Sequence, residues 1–341
     1  MADYRLPIFY GLAFIFLSSC DQITPNATPT TTFETNIRIP SQTDWVDHGI
    51  ILEAGIVGEW DYYLWGGFAF SVIKKEDTYY LYYQGSSDYR TEYDETVLWR
   101  SIGVAISSDG IRFLKHKSNP ILNWFPNQYG EEGAVSSGVT LGEQDETILF
   151  YGANTAEGDT SVNSDVRVAS SVDGLKFTDL GIVLDRNHTF IWGSGDELFS
   201  VDAIYDQGQW IVYYIPNGTA ESGYLGVAYG DQNRELHQSS QVTSNGEPIS
   251  VWGTAGHVRL DEDLYAVILN NVREKRTEVR LMSSRSPNVL SEPVIVYQFD
   301  DIQQATFLLD EESKTWFMYY RTHENSYGVK LAPMEKATTN P

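Results

Sequence analysis

The residues from which this chain can build chemistry are acids set close to tryptophans. Glu59 and Asp61 flank Trp60; Glu131 and Glu132 follow Trp124; Asp196 and Glu197 follow Trp192, with Asp202 just beyond; Asp300 and Asp301 form a last pair. Two facing carboxyl groups, one protonated and one ionised, are the apparatus for acid–base cleavage of a glycosidic bond. A gap of about 5–5.5 Å leads to retention and one of about 6.5–9.5 Å to inversion. Indole faces stack on the apolar C–H faces of sugar rings, which makes Trp65, Trp124, Trp192 and Trp252 candidate binding residues. Glu132 precedes Gly133 and Ala134, and Glu197 lies two residues after Gly195, so both stand beside backbone that a ligand can approach closely. These two are the leading catalytic candidates, with Asp61 and Asp202 as assistants. Asp301, His257 and Arg321 are candidates for binding, the guanidinium suiting either a uronic carboxylate or an ordinary ion pair. The bland alternatives are solvated loop acids, since the chain has 47 of them, and tryptophans packed between strands.

Composition closes off other chemistries. With 47 acidic against 23 basic residues the net charge is −24, which opposes binding to nucleic-acid phosphates. A single cysteine excludes a disulfide framework and a cysteine-cluster zinc site. Phosphate-cradling glycine loops, HExxH helices, GxSxG elbows, DxDxDG calcium loops and metal-spaced histidines are all absent from the sequence.

Positioning such residues falls to β-strands, because 22 Tyr, 15 Phe and 9 Trp suit sheets and no heptad pattern is sustained. A Tyr-rich strand recurs around Tyr83, Tyr151, Tyr214, Leu269 and Tyr320, at spacings of 68, 63, 55 and 51 residues. Each copy has a strand before it and another after it. In the first two copies the later strand runs into Ser108-Asp109-Gly110 and Val172-Asp173-Gly174, where Asp-Gly supplies a tight turn. A fourth strand, DLGIVL at 179–184, has a near-copy, DHGIIL at 47–52, ahead of the first repeat. The fifth repeat stops one strand short at Pro333. The expected fold is therefore all-β, a five-bladed β-propeller over residues 45–333, closed by the strand at 47–52 joining the last blade.

Residues 6–17, LPIFYGLAFIFL, are too short to span a bilayer and match the length of a signal-peptide core. Leu17-Ser18-Ser19-Cys20 resembles a bacterial lipobox, which makes Cys20 the expected lipidation site and residues 1–19 a lipoprotein signal peptide. Residues 20–44, rich in Thr and Pro, read as a tether, and 334–341 as a C-terminal tail. The expectation is an exported protein of the cell envelope, held at the membrane only by its lipid.

The stretches SVIKKEDTYYLYY (71–83) and SSDGIRFLKHKSNPIL (107–122) resemble the five-bladed propeller glycosidases, the superfamily of the family 43, family 32 and family 130 enzymes. That resemblance implies carboxylates at the starts of the innermost strands, converging on a central cavity that takes oligosaccharide or polysaccharide. It implies no organic cofactor, but a channel histidine near a central water or Ca2+, the place His257 would take. Where those relatives read Asp-Pro on the first inner strand, this chain has Ala69-Phe70. Two further readings stay open: a non-catalytic surface protein that captures glycans, and a propeller that binds proteins through a flat apolar rim.

Overall fold

Alternating apolar and polar residues, broken by Asp-Gly and Asn-Gly turns, fold into strands almost throughout. The computed structural model describes residues 35–65, 70–86, 89–90, 96–97, 100–123, 133–155, 163–184, 197–217, 223–230, 236–251, 255–271 and 274–334. Five antiparallel blades form a β-propeller. The innermost strands are Phe70–Lys75, Gly133–Leu141, Glu197–Asp206, Ala255–Arg259 and Ile302–Asp310, and each lies against the next around a closed ring. The second strands, Thr78–Ser86, Thr147–Thr155, Gln209–Asn217, Leu264–Asn271 and Thr315–Thr322, carry the repeated tyrosines.

The ring closes between the ends of the chain, as the near-copy motif requires. Strand Val46–Glu53 pairs antiparallel with Ser326–Pro333, from Val46 opposite Leu331 to Glu53 opposite Ser326, and is the outermost strand of the fifth blade. Side chains repeat the match. In the second blade, Asp179 accepts from the Tyr151 hydroxyl (3.1 Å), the Gly181 N–H (3.1 Å) and Arg167. In the fifth, Asp47 accepts from Tyr320 (2.9 Å), the Gly49 N–H (2.8 Å) and Lys330 (2.5 Å). Gly49 and Gly181 hold φ of 84° and 102°, values an L side chain rarely adopts. The Asp-x-Gly signature is thus a polar clip that registers the fourth strand on its blade.

A second device joins neighbouring blades. One residue before the repeat anchor stand Tyr82, Tyr213 and Tyr319, in the first, third and fifth blades. Their hydroxyls donate to the carbonyls of Gly174 (2.9 Å), Pro287 (2.8 Å) and Gly110 (3.1 Å), in the turn after the third strand of the following blade. All three tyrosines are fully buried, and the acceptors lie in the buried class too. The equivalents Phe150 and Ile268 carry no hydroxyl. Asp109 and Asp173 are turn residues, each accepting from two backbone N–H groups; at Asp173 the Lys176 and Leu175 N–H groups hold the carboxyl below its ordinary range.

Residues 35–44, expected in the tether, pack on the fourth and fifth blades. Ile37, Ile39 and Trp45 join the apolar cluster around Tyr297 and Phe307, and the Tyr297 hydroxyl donates to the Pro40 carbonyl (2.5 Å). The reason is local: Ile37-Arg38-Ile39 places two apolar side chains on one face of an extended segment. Among the described residues no helix is long and apolar enough to cross a membrane.

Candidate functional site

The face where the inner strands begin is also where the second strands end, so both sets of strand ends surround the mouth of the axial channel. Near that mouth three inner strands break register: between Val135 and Gly138, Ser200 and Asp202, and Ile302 and Gln304. An extra residue in a strand re-aims its side chains. Period-two reading of the sequence is blind to such insertions.

At the seam of the fifth and first blades the bulge frees Gln303. Its side-chain oxygen accepts from Arg321 Nη1, and its amide N–H meets His323 Nδ1 at 2.9 Å. Arg321 Nε donates to the Leu64 carbonyl (2.9 Å), and the guanidinium lies 5.6 Å from the centre of the Tyr63 ring, a cation–π contact. Tyr63 packs edge-on to Trp65 at 5.3 Å. Trp65 is pinned in turn: its indole N–H donates to Ser86 Oγ (2.8 Å), and its carbonyl accepts from the Tyr327 hydroxyl (2.5 Å). The structure therefore brings two expected binding residues, Trp65 and Arg321, to one corner of the entrance face. Tyr63, Gln303 and His323, which the sequence reading passed over, belong to the same corner. An exposed aromatic two residues before Trp65 was the one signal for them.

Asp202 and His257 meet inside the channel. The Ser200–Asp202 bulge turns the Asp202 carboxylate toward the fourth blade, where Oδ2 lies 2.5 Å from His257 Nδ1. The innermost strand of the second blade crowds this point, for a Cβ on Gly138 would stand 2.9 Å from the Asp202 Cα. Burial raises the Asp202 pKa and the His257 contact opposes that rise. Beyond the pair the channel holds a cavity of about 280 Å3 lined by all five inner strands, with Val72, Thr140, Ile204, Val258 and Leu308 among its walls. Asp202 is five residues along its strand from Glu197, about 16 Å at roughly 3.3 Å per residue, beyond the range of a carboxyl pair at the mouth. The resemblance implied a central water or Ca2+ near His257. The ring's Nδ1 is committed to Asp202, and among the described residues no three His, Cys, Asp or Glu side chains converge.

The remaining candidates are dispersed. Asp61, buried, forms an ion pair with Lys115 (2.7 Å) and accepts from the Tyr83 hydroxyl (3.3 Å), tying the segment after the closing strand to the first blade. Asp301 lies 3.7 Å from Lys330, within the Asp47 clip. Glu197 opens the third inner strand, and only its backbone is described; Gly133 opens the second. Glu132, Trp124, Trp192, Trp252 and Cys20 lie outside the described residues.

No family model matches the chain, and no curated protein does. Solved structures do. A candidate glycosidase from Bacteroides thetaiotaomicron superposes with a TM-score of 0.59 at 12% identity, covering 86% of this chain and 97% of that one. A family 43 (GH43_1) enzyme from Xanthomonas citri gives 0.58 at 12%, covering 86% and 92%. A structure described with the family 130 mannoside phosphorylases and hydrolases gives 0.55 at 11%, covering 89% and 99%. Across nearly its whole folded length, then, this chain has the five-bladed propeller fold seen in structures of family 43 and family 130 carbohydrate-active proteins.

Proposed function

We propose that this protein acts on oligosaccharide or polysaccharide at the entrance face of its propeller, as a glycoside hydrolase with Glu132 and Glu197 as the acid–base pair. One observation carries the reading. Gly133 and Glu197 are the first residues of adjacent inner strands, and Glu132 directly precedes Gly133 in the sequence, which supports reading the two acids as a pair. Asp61, Asp202 and Asp301 are engaged by Lys115, His257 and Lys330 and are assigned to positioning. A second reading, glycan capture without turnover, is favoured by those same engagements and by Ala69-Phe70 in place of Asp-Pro. Export with a lipid on Cys20 completes the proposal.

The test is turnover of glycans by the purified protein. Glu132→Gln and Glu197→Gln should each slow cleavage by about 10²-fold or more. Unchanged rates in both variants would discard the pair, and binding without cleavage by the unsubstituted protein would establish the second reading. Cys20→Ser should move the protein from the detergent to the aqueous phase when expressed in a bacterial host; unchanged partition would end the lipoprotein assignment.

A further inference from the structure

Arg321 is out of step with every other arginine whose side chain is described. From Arg38 to Arg285, each of those lies within 3.7 Å of a carboxylate. Among the described residues Arg321 is the one arginine in the buried class, 6% exposed, and no described acid pairs with it. Its partners are neutral: the Leu64 carbonyl, the Gln303 amide oxygen and the face of Tyr63. A guanidinium stays charged at any physiological pH, and burying that charge without a counter-ion is costly.

The neutral contacts do something an acid would not. They fix the plane and direction of the guanidinium while, among the described residues, supplying no counter-charge, the arrangement of a preorganised receptor for an anion. The anion's surroundings are also set, because Tyr63, 42% exposed, presents ring surface at the same corner, with the half-buried Trp65 edge-on to it. Aromatic rings beside a guanidinium whose described partners are neutral suit a ligand with both a C–H face and a negative charge. We propose that this corner, between the fifth and first blades, is a subsite for an anionic sugar, with Arg321 receiving a uronic carboxylate or a sulfate ester and Trp65 and Tyr63 packing on the ring. The inference deepens the glycan reading above and rests on it.

Calorimetric titration of the full chain tests it with matched probes: oligogalacturonides against their methyl esters, and sulfated carrageenan oligosaccharides against their desulfated forms. A charge-assisted contact is worth about 1.5–3 kcal/mol, so the charged member of one pair should bind at least about tenfold tighter than its neutral counterpart. The pair that shows the preference tells carboxylate from sulfate. Arg321→Gln should abolish the preference, and Arg321→Lys, which keeps the charge but loses the fork, should retain part of it. Equal affinity for charged and neutral members in the unsubstituted protein overturns the subsite while leaving the glycan reading intact, and needs no variant to fold. A preference that survives Arg321→Gln in a protein with an unchanged melting curve overturns it as well. Failure to bind either member, together with failure to bind neutral xylo- and manno-oligosaccharides, defeats both readings.

Discussion

Removing one hydroxyl from a blade-to-blade clasp should destabilise the propeller by an amount that can be worked out in advance. Tyr213→Phe keeps the ring, which is fully buried, and deletes the O–H that donates to the Pro287 carbonyl at 2.8 Å. That carbonyl sits in a buried turn, so the cost approaches that of an unsatisfied acceptor, about 1–3 kcal/mol. For a domain of about 290 residues the unfolding entropy is roughly 0.6 kcal/mol/K, and the melting temperature should fall by about 2–5 °C. Tyr82→Phe and Tyr319→Phe make the equivalent cut at two other seams and should behave alike. The three sites belong to different blade interfaces, so the triple variant should lose about the sum of the single effects. Tyr229→Phe is the control: its hydroxyl meets Ser240 Oγ at 3.0 Å in a half-buried outer position, and the expected change is within about 0.5 kcal/mol. Circular dichroism melts and urea titrations read all five proteins. If the clasp variants melt with the control, the repeated tyrosine is merely a packing residue and the clasp argument fails.

Asp310 stands at the opposite end of the fifth inner strand and accepts from Tyr79 (2.6 Å) and Lys74 (2.9 Å) of the first blade. Burial alone would raise its carboxyl, but the Tyr79, Ser313 and Lys74 contacts outweigh that and hold it at about 2. A folded pKa below the unfolded one stabilises the protein above about pH 4, and that contribution is lost as pH falls through about 2. Asp310→Asn should therefore cost about 2 kcal/mol at pH 7, shrinking as the pH is lowered from 4 to 2; a deficit independent of pH would contradict the ion-pair account. Asp47→Asn cuts the ring-closing clip, so hydrogen exchange should quicken in Val46–Glu53 and not in the equivalent strand Thr178–Leu184, whose Asp179 is intact. Uniform protection of both strands would mean that backbone pairing alone closes the ring.

Much of the architecture was legible in the order of residues, because its signals are local. A tyrosine-rich strand repeats, Asp-Gly and Asp-x-Gly turns need only their own backbone geometry, and the orphan DHGIIL could be assigned to the last blade by its likeness to DLGIVL. The structure added that Asp47 and Asp179 each take a hydroxyl from the anchor tyrosine of their blade and a cation from its third strand, which no reading of strand period reveals.

The site is another matter, since it is assembled from residues far apart in the chain by bulges that obey no periodic pattern. An aspartate reads the same on paper whether it faces a cavity or a lysine: Asp61 met Lys115, Asp202 met His257 and Asp301 met Lys330 only once the blades were stacked. The sequence by itself determined the blade count, the closing strand and the kinds of side chain available at the strand entrances. Tertiary structure decided which of them are already partnered. Among the described residues it gave the buried Arg321 neutral partners, because charge compensation is a property of three-dimensional neighbours and not of chain order.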